Sequence, residues 1–164
     1  MVQAQLKAPA IDVSLVVPFM NAVRDVFRKM AGVEITVERP KLKESPGATY
    51  DVCGIIGFSG AVSGSVAVTF SDEAAVALVA AFAGSAMERS SPDFADAIGE
   101  LANMIAGAAK QSLGGMASIS IPSVVIGKGF SVANLSEARG IVIPCLCAFG
   151  RFTVEVAIKR NAMG

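Results

Sequence analysis

Two pairs of apolar segments of strand length limit the fold more than any other feature of this 164-residue chain. The four segments are residues 49–58, 61–70, 140–149 and 151–160. Ser59–Gly60 separates the first two, and Gly150 separates the last two. In the final segment Val154, Val156 and Ile158 alternate with polar or smaller residues, as in a half-buried strand. Because strands joined by such short turns pair antiparallel, the sequence predicts a largely antiparallel sheet built from two hairpins.

Three other segments repeat their apolar residues at helical spacing, at residues 14–30, 74–82 and 92–113. Ser71 and Ser91 stand where the N-cap residues of the second and third helices are expected. Pro18 falls within the first segment, and we expect it in the first turn of that helix, where proline is tolerated. A glycine follows each predicted helix, at Gly32, Gly84 and Gly114–Gly115.

The remaining segments complete an α+β fold, an α/β sandwich. We predict strands at residues 33–37 and 119–126, a short strand near residues 130–132, and a loop at residues 39–48. The element order is then α-β-β-β-α-α-β-β-β, with the helices packed on one face of the sheet. The length is typical of one domain, which we place at residues 1–164 with residues 1–12 as a loose lead-in.

The charge and composition exclude several classes of function. Fourteen basic and 14 acidic residues give a formal net charge of zero, and the chain has one tyrosine and no tryptophan. Nucleic-acid binding needs a basic surface and often uses aromatic platforms, so we do not expect nucleic acid as a partner. The chain has no histidine, which excludes Ser-His or Cys-His catalysis and metal sites with histidine ligands.

The apolar content does not indicate a membrane protein. Although 53% of the residues are hydrophobic, no apolar run approaches the ~20 residues that span a bilayer. Residues 1–7 lack the basic-then-apolar pattern of a secretory signal, so we expect a cytoplasmic protein with no membrane attachment. The chain has three cysteines, Cys53, Cys145 and Cys147. Because their number is odd and no two of them have Cys-x-x-Cys spacing, we expect buried free thiols.

The third predicted helix carries a polar stripe. At 3.6 residues per turn, Asp96, Glu100 and Asn103 fall on one side of it. The opposite side is mostly apolar and suits packing on a sheet: Ile98, Leu101, Ala102, Ile105, Ala109 and Ser112. Solvated surface residues are the ordinary explanation of such a stripe. A functional site is the alternative, and an asparagine in mid-helix, where its side chain competes for backbone hydrogen bonds, is a mild sign of one.

Interior glycines indicate places of close approach. Gly54, Gly57 and Gly64 lie within the first predicted hairpin, where glycine indicates a bulge or a closely approaching helix. Gly99 and Gly107 lie within the third helix, where each costs about 1 kcal/mol relative to alanine. Either these two glycines pack closely against a neighbouring element, or they keep the helix face low so that another protein's backbone can come near.

The spacing Asp96-x-x-x-Glu100-x-x-Asn103 resembles the (Asp/Ser)-x3-Glu-x2-Asn signature of the CheC/CheX/FliY family of chemotaxis phosphatases. Residues 97–107, with both glycines, are most similar to the CheX branch. Further similar segments extend the likeness over about residues 14–160: residues 18–23, 27–33, 57–66 and 121–127.

The CheC branch carries a second signature on its first helix. Here Ser14 and Asn21 keep that spacing, but Pro18 stands where the glutamate would be. The resemblance therefore implies one active site in each chain.

The resemblance implies a pseudo-twofold CheC-like fold and a hydrolase that dephosphorylates the aspartyl phosphate of a CheY-type response regulator. By the same likeness, Asn103 positions the hydrolytic water and Glu100 docks on the regulator's active-site lysine. Asp96 has a supporting role, and Gly99 and Gly107 let the helix enter the regulator's pocket. No cofactor or metal is implied on this chain; Mg²⁺ is expected in the regulator. A homodimer formed through sheet edges is implied as well.

Two other functions stay open. One is a binding or scaffold module that docks on a response regulator or signalling complex without turnover, and the other is a ligand-sensing or structural domain of the same fold. A catalyst needs Asn103, whereas a binding module depends on Glu100 and tolerates a change at Asn103. A structural domain shows no phosphorylation-dependent binding.

Overall fold

One antiparallel sheet of eight strands is the framework of the residues that the structure, a computed structural model, describes: 11–44, 47–114, 117–133 and 139–162. The strands are β1 (Thr36–Val37), β2 (Lys41–Leu42), β3 (Tyr50–Gly60), β4 (Val62–Phe70), β5 (Ala117–Ile119), β6 (Ser123–Phe130), β7 (Ile141–Cys147) and β8 (Gly150–Arg160). The helices are α1 (Val13–Val26), which continues into a π-helical turn (Phe27–Ala31), α2 (Asp72–Ala83) and α3 (Pro92–Ser112).

The two predicted hairpins form the centre of the sheet. β3 pairs with β4 and β7 pairs with β8, and the hairpins join through β4 and β8, from Val62 opposite Arg160 to Phe70 opposite Phe152. The other four strands complete the two edges: β1 and β2 pair with β7, whereas β5 and β6 pair with β3. The predicted antiparallel α+β architecture is confirmed.

Alternation along the central strands directs their apolar side chains to one face, where the helices pack. Val154, Val156 and Ile158 are buried in the same core as α1 and α3 residues. The Phe152 ring stacks on Phe27 and on Phe70, with ring centroids 4.8 and 5.3 Å apart. The predicted placement of the helices on one face of the sheet is therefore correct.

Several local predictions differ from the structure. The predicted loop at residues 39–48 contains β2, because Leu42 packs against the core and pairs with Ile141. A strand was predicted at residues 33–37. Val33 and Ile35 are buried there, but only Thr36–Val37 pairs with β7. The separate strand near residues 130–132 is not formed, since β6 itself runs to Phe130 and ends there.

The predicted strand at residues 119–126 is interrupted at residues 120–122. The N–H of Gly57 on β3 donates to Ser120 Oγ at 2.9 Å instead of to a strand carbonyl, and Pro122 has no N–H to donate. The chain resumes pairing with β3 at Ser123, so that β5 and β6 lie end to end along one strand.

Pro18 lies deeper in its helix than predicted. Asp12 caps α1 by accepting from the N–H of Ser14 at 3.0 Å, so the helix begins at Val13 and Pro18 falls beyond its first turn. Proline at this depth removes a helical hydrogen bond. The side chain of Pro18 is buried, which offsets that loss with apolar contact.

A polar cluster lies on the sheet face opposite the helices, where Glu155 is only 3% exposed. Lys43 Nζ lies 2.7 Å from Glu155 Oε2 and also donates to the carbonyl of Val132. Tyr50 Oη donates to Glu155 Oε1 at 3.0 Å and accepts from Thr153 Oγ1 at 3.1 Å. The carboxylate is therefore paired and hydrogen-bonded, as a buried charge needs to be.

The cysteines are free, as predicted; Cys53 and Cys145 are buried and Cys147 is half-buried. Removal from water raises the pKa of the Cys53 and Cys145 thiols to about 12 each. Both therefore stay in the thiol form at neutral pH.

Within the described part of the chain, none of the helices has the length and apolarity to cross a membrane. Of the predicted lead-in at residues 1–12, residues 1–10 lie outside the described residues.

Candidate functional site

The start of α3 is held by its own cap and by an ion pair. Ser91 Oγ accepts from the N–H of Asp93 at 3.2 Å, and Pro92 occupies the first helical position. Two residues before the cap, Arg89 Nε lies 2.5 Å from Asp72 Oδ1 of α2, and Arg89 also donates to the carbonyl of Gly127. The segment that leads into α3 is thus tied to both α2 and β6.

The apolar side of α3 packs on the sheet as its sequence predicts. Ile98, Leu101, Ala102, Ile105 and Ala109 are buried, whereas Ser112 is exposed and does not belong to the packed side. β3 approaches this side closely at Gly54. A Cβ there would lie 2.9 Å from Ala102 Cβ and 3.2 Å from the carbonyl oxygen of Ile98. The prediction that Gly54 marks a closely approaching helix is confirmed.

The polar stripe lies on the outer side of α3. Asp96 and Glu100 are exposed and Asn103 is half-buried. A helical rise of 1.5 Å per residue separates Asp96 from Asn103 by about 10 Å along the axis. In residues 11–44, 47–114, 117–133 and 139–162, no group forms a hydrogen bond or ion pair with these three side chains. Their polar atoms are therefore available to a partner and to water.

The two helical glycines have different surroundings. A Cβ on Gly99 would lie 3.2 Å from Pro122 Cγ and 3.4 Å from Val124 Cγ2, so Gly99 packs closely against the start of β6. Of the two interpretations of this glycine, close packing is the one that the structure supports. A Cβ on Gly107 would meet no atom within 4 Å. Packing within the described part of the chain does not require glycine there, and the interpretation of Gly107 as keeping the helix face low stays a prediction.

A shallow cleft between α3 and β6, hereafter the α3–β6 cleft, lies beside the stripe. Its volume is about 480 Å³, and its lining consists of Ala95, Asp96, Gly99, Glu100, Pro122 and Val124. Two carboxylates thus border a floor made of a glycine, a proline and a valine. Sequence reasoning did not connect Pro122 and Val124 with this site; the interior glycine at position 99 was the signal that another element approaches there.

The side of α1 that carries Ser14, Pro18 and Asn21 does not have the same polar groups as the stripe of α3. Ser14 Oγ is engaged, since it donates to Asp12 Oδ1 at 2.6 Å and accepts from Arg160 at 2.9 Å. Pro18, at the position of Glu100 in this comparison, is buried and carries no charge. Asn21 is exposed, but it has no carboxylate one turn before it. Of these two helices, α3 alone presents a carboxylate and a carboxamide together on its stripe.

Chemically, the stripe can recognise a cation and orient water. A carboxylate accepts hydrogen bonds from an ammonium or guanidinium group, and a carboxamide offers one acceptor and two donors without titrating near neutral pH. Among the described residues, no three or more Asp, Glu or Cys side chains are grouped so as to hold a metal ion.

Comparison with known proteins places this chain in a family. Residues 52–146 match the family model described as chemotaxis phosphatase CheX. The chain belongs to the CheX family. A relative, the CheY-P phosphatase CheX of Thermotoga maritima, is 30% identical over 127 residues, which are 75% of this chain and 82% of that protein. All three signature residues of this CheX-family chain lie within the range that the family model matches.

Solved CheX structures have the same fold. The crystal structure of a chemotaxis protein CheX from Desulfovibrio desulfuricans superposes with a TM-score of 0.83 at 32% identity, over 91% of this chain and 100% of that one. The CheX–CheY–BeF₃–Mg²⁺ complex of Borrelia burgdorferi gives a TM-score of 0.74 at 22% identity, over 89% of this chain and 98% of that one. The CheC-like fold predicted for this chain is confirmed.

Proposed function

We propose that this CheX-family chain is a hydrolase that removes the phosphoryl group from the aspartyl phosphate of a phosphorylated CheY-type response regulator. One observation carries the proposal. Glu100 and Asn103 stand one turn apart on the outer face of a helix whose position is set by close packing, and neither side chain is engaged by the described part of the chain. The name of the Thermotoga relative supports the same activity.

Asn103 is the residue that we assign to the water. An acyl phosphate is already activated, so its hydrolysis mainly needs a water molecule held in line with the leaving oxygen. The carboxamide can accept from that water and donate to a phosphoryl oxygen at once. Half-burial restricts the side chain of Asn103 without removing its polar atoms from reach. Asn103 therefore contributes by position and needs no change of its protonation state.

Glu100 is the residue that we assign to docking. Its exposed carboxylate would pair with the regulator's active-site lysine and so set the distance between Asn103 and the phosphoryl group. Asp96 is exposed one turn before Glu100 on the same side of α3, so its carboxylate can add to the negative charge that a lysine would meet. We assign Asp96 a supporting role in that docking.

The two glycines support this arrangement differently. Gly99 lets β6 approach α3 beside Glu100, since Pro122 occupies the space of the missing side chain. Gly107 would keep the helix low where the regulator's surface passes over it. Both contribute shape and no chemistry.

The proposal also includes the metal ion of the regulator, the cellular location and the oligomeric state. Mg²⁺ held by the regulator's acidic residues would neutralise the phosphoryl oxygens, as metal ions do in phosphoryl transfer. We further propose that the chain acts in the cytoplasm as a homodimer joined through sheet edges, of which β1 with β2 and β5 with β6 are the two candidates.

The test follows phosphate loss from a phosphorylated CheY-type regulator in Mg²⁺, with catalytic amounts of this protein. We expect multiple-turnover acceleration by the wild type and a loss of at least about 100-fold in Asn103→Ala, because misplacing a reactant by an ångström has effects of that size. Gln111→Ala removes an exposed carboxamide from the same helix and is the matched control.

The alternative, a docking module without turnover, makes different predictions. Glu100→Ala would weaken binding to the regulator, Asn103→Ala would not change it, and the wild type would not accelerate phosphate loss. Binding without acceleration, observed with a regulator that carries phosphate, would contradict the phosphatase proposal.

A further inference from the structure

The single basic residue of α3, Lys110, lies on the same side of the helix as Asn103. Seven positions correspond to almost two full turns at 3.6 residues per turn, so the two residues differ by only about 20° around the helix axis. Asp96, seven positions before Asn103, is aligned with it in the same way. The outer side of α3 therefore carries carboxylates toward its start, a carboxamide in the middle and an ammonium group near its end.

The ammonium group of Lys110 is available to a partner. The side chain is half-buried, yet among the residues that the structure describes no polar group bonds or pairs with it. A cation in the last turn of a helix also interacts favourably with the helix dipole. That effect does not explain the position, since Gln111 and Ser112 are exposed in the same turn and would suit a lysine equally well.

The space beside Lys110 lets its side chain reach toward Asn103. A helical side chain leans toward the N-terminus and covers the preceding turn, which here contains Gly107. A Cβ on Gly107 would meet no atom within 4 Å, so the four-carbon stem of Lys110 can lie over that position. The backbones of Lys110 and Asn103 are about 10 Å apart along the axis, and a stem that covers one turn leaves about 5 Å between their polar ends.

A phosphoryl group suits that gap, because its oxygens accept charge-assisted hydrogen bonds of about 2.8 Å on either side. From this geometry we infer that Lys110 binds the phosphoryl group of the regulator together with Asn103, and thereby lets this chain distinguish the phosphorylated regulator from the unphosphorylated one. The inference rests on the proposed function and adds a binding residue to it. Opposite charges at the two ends of the stripe also allow one docking orientation only, with Glu100 on the regulator's lysine and Lys110 on the phosphoryl group.

The experiment measures the Kd of two forms of a CheY-type regulator. One form is unmodified, and the other is loaded with Mg²⁺ and beryllium fluoride as a stable stand-in for the phosphoryl group. The variants are Lys110→Met, which keeps the apolar stem and removes the charge, and Lys110→Arg, which keeps a cation. Lys29→Met is the matched control, since Lys29 is exposed in the π-helical turn after α1 and its replacement changes the net charge equally.

We expect Lys110→Met to raise the Kd of the loaded regulator at least about tenfold, because a hydrogen bond to a charged group contributes that factor or more. The Kd of the unmodified regulator should change less than about twofold, since the charge that Lys110 meets is absent there. Lys110→Arg and Lys29→Met should stay within about threefold of wild type for both forms.

An equal loss of affinity for both forms in Lys110→Met would overturn the inference, because the contact would then not involve the phosphoryl group. An unchanged Kd for the loaded form would overturn it as well. Lys110→Gln repeats the measurement with a polar uncharged side chain, and urea denaturation verifies that each variant is folded. Absence of wild-type turnover on the phosphorylated regulator, by contrast, contradicts the proposed function itself.

Discussion

Gly54 of β3 and Ala102 of α3 are in such close contact that the sheet sets the height of the signature helix. A Cβ on Gly54 would lie 2.9 Å from Ala102 Cβ, closer than side chains tolerate. Ala102 is the residue before Asn103 and lies on the buried side of the helix. Gly54 is buried and does not border the α3–β6 cleft. A side chain at position 54 would nevertheless displace the part of α3 that carries Asn103, the candidate catalytic residue.

We predict that Gly54→Ala lowers both stability and turnover. Overpacking of a well-packed core costs about 1–3 kcal/mol, and displacement of α3 would misplace Asn103. Chemical denaturation gives the first effect and kcat for dephosphorylation gives the second. Gly57→Ala, a change on the same strand whose new Cβ meets Ser120 Oγ at an ordinary 3.4 Å, should have little effect on either.

A second substitution separates position from stability in this test. Ala102→Gly removes the Cβ that the new methyl group at position 54 would meet, while a glycine within a helix costs about 1 kcal/mol. The pair Gly54→Ala with Ala102→Gly should therefore recover part of kcat while remaining less stable than wild type, because the 3.2 Å contact with the carbonyl oxygen of Ile98 remains. A kcat as low in the pair as in Gly54→Ala alone would contradict contact with Ala102 as the cause of the loss.

The buried ion pair on the opposite face of the sheet gives the second prediction. Lys43→Met leaves the Glu155 carboxylate buried without its cation, and breaking one side of a buried pair costs about 3–5 kcal/mol. Urea denaturation at pH 7 measures the loss. Arg28→Met breaks an exposed pair, in which Arg28 Nε lies 3.2 Å from Glu34 Oε1, and should cost less than about 1 kcal/mol.

Adding Glu155→Gln to Lys43→Met removes the uncompensated charge and keeps an oxygen that can accept from Tyr50 Oη. We expect this pair of changes to recover most of the stability that Lys43→Met loses. Equal losses in the single and double variants would mean that packing of the lysine stem, and not the buried charge, is the source of the effect.

Asp51 makes the fold sensitive to acid. Its Oδ1 accepts from the N–H of Gly129 and its Oδ2 from the N–H of Asp72, each at 3.0 Å, and these bonds hold the pKa of the Asp51 carboxyl below its ordinary value of 3.8. Since the folded pKa is the lower one, the carboxylate stabilises the fold fully above pH 3.8 and progressively less as the pH falls through the folded pKa.

We therefore expect Asp51→Asn to be less stable than wild type at pH 7, with a difference that shrinks below about pH 4. Urea midpoints between about pH 3 and pH 7 measure it. Glu88→Gln changes an exposed carboxyl whose side chain contacts no polar partner in the described ranges, and should follow the wild-type curve. A constant difference between Asp51→Asn and wild type across this range would contradict the assignment.

The local patterns of the chain were sufficient to predict its helices, its two hairpins and its polar stripe. Each depends on residues a few positions apart: the alternation of Val154, Val156 and Ile158, the cap at Ser91, and the spacing of Glu100 and Asn103. Periodicity and capping act within one element, so a sequence shows them directly. The signature that first indicated the family also has this short range, since it lies within about two turns of one helix.

The tertiary structure alone decided what surrounds those residues. That Pro122 fills the space above Gly99, that Gly54 sets the height of Ala102, and that Glu155 is buried with Lys43 are contacts between residues far apart in the chain. They depend on the order of strands in the sheet, which places β6 beside β3 and beneath α3. No spacing along the sequence encodes that order, because it results from how the strands and helices bury their apolar faces together.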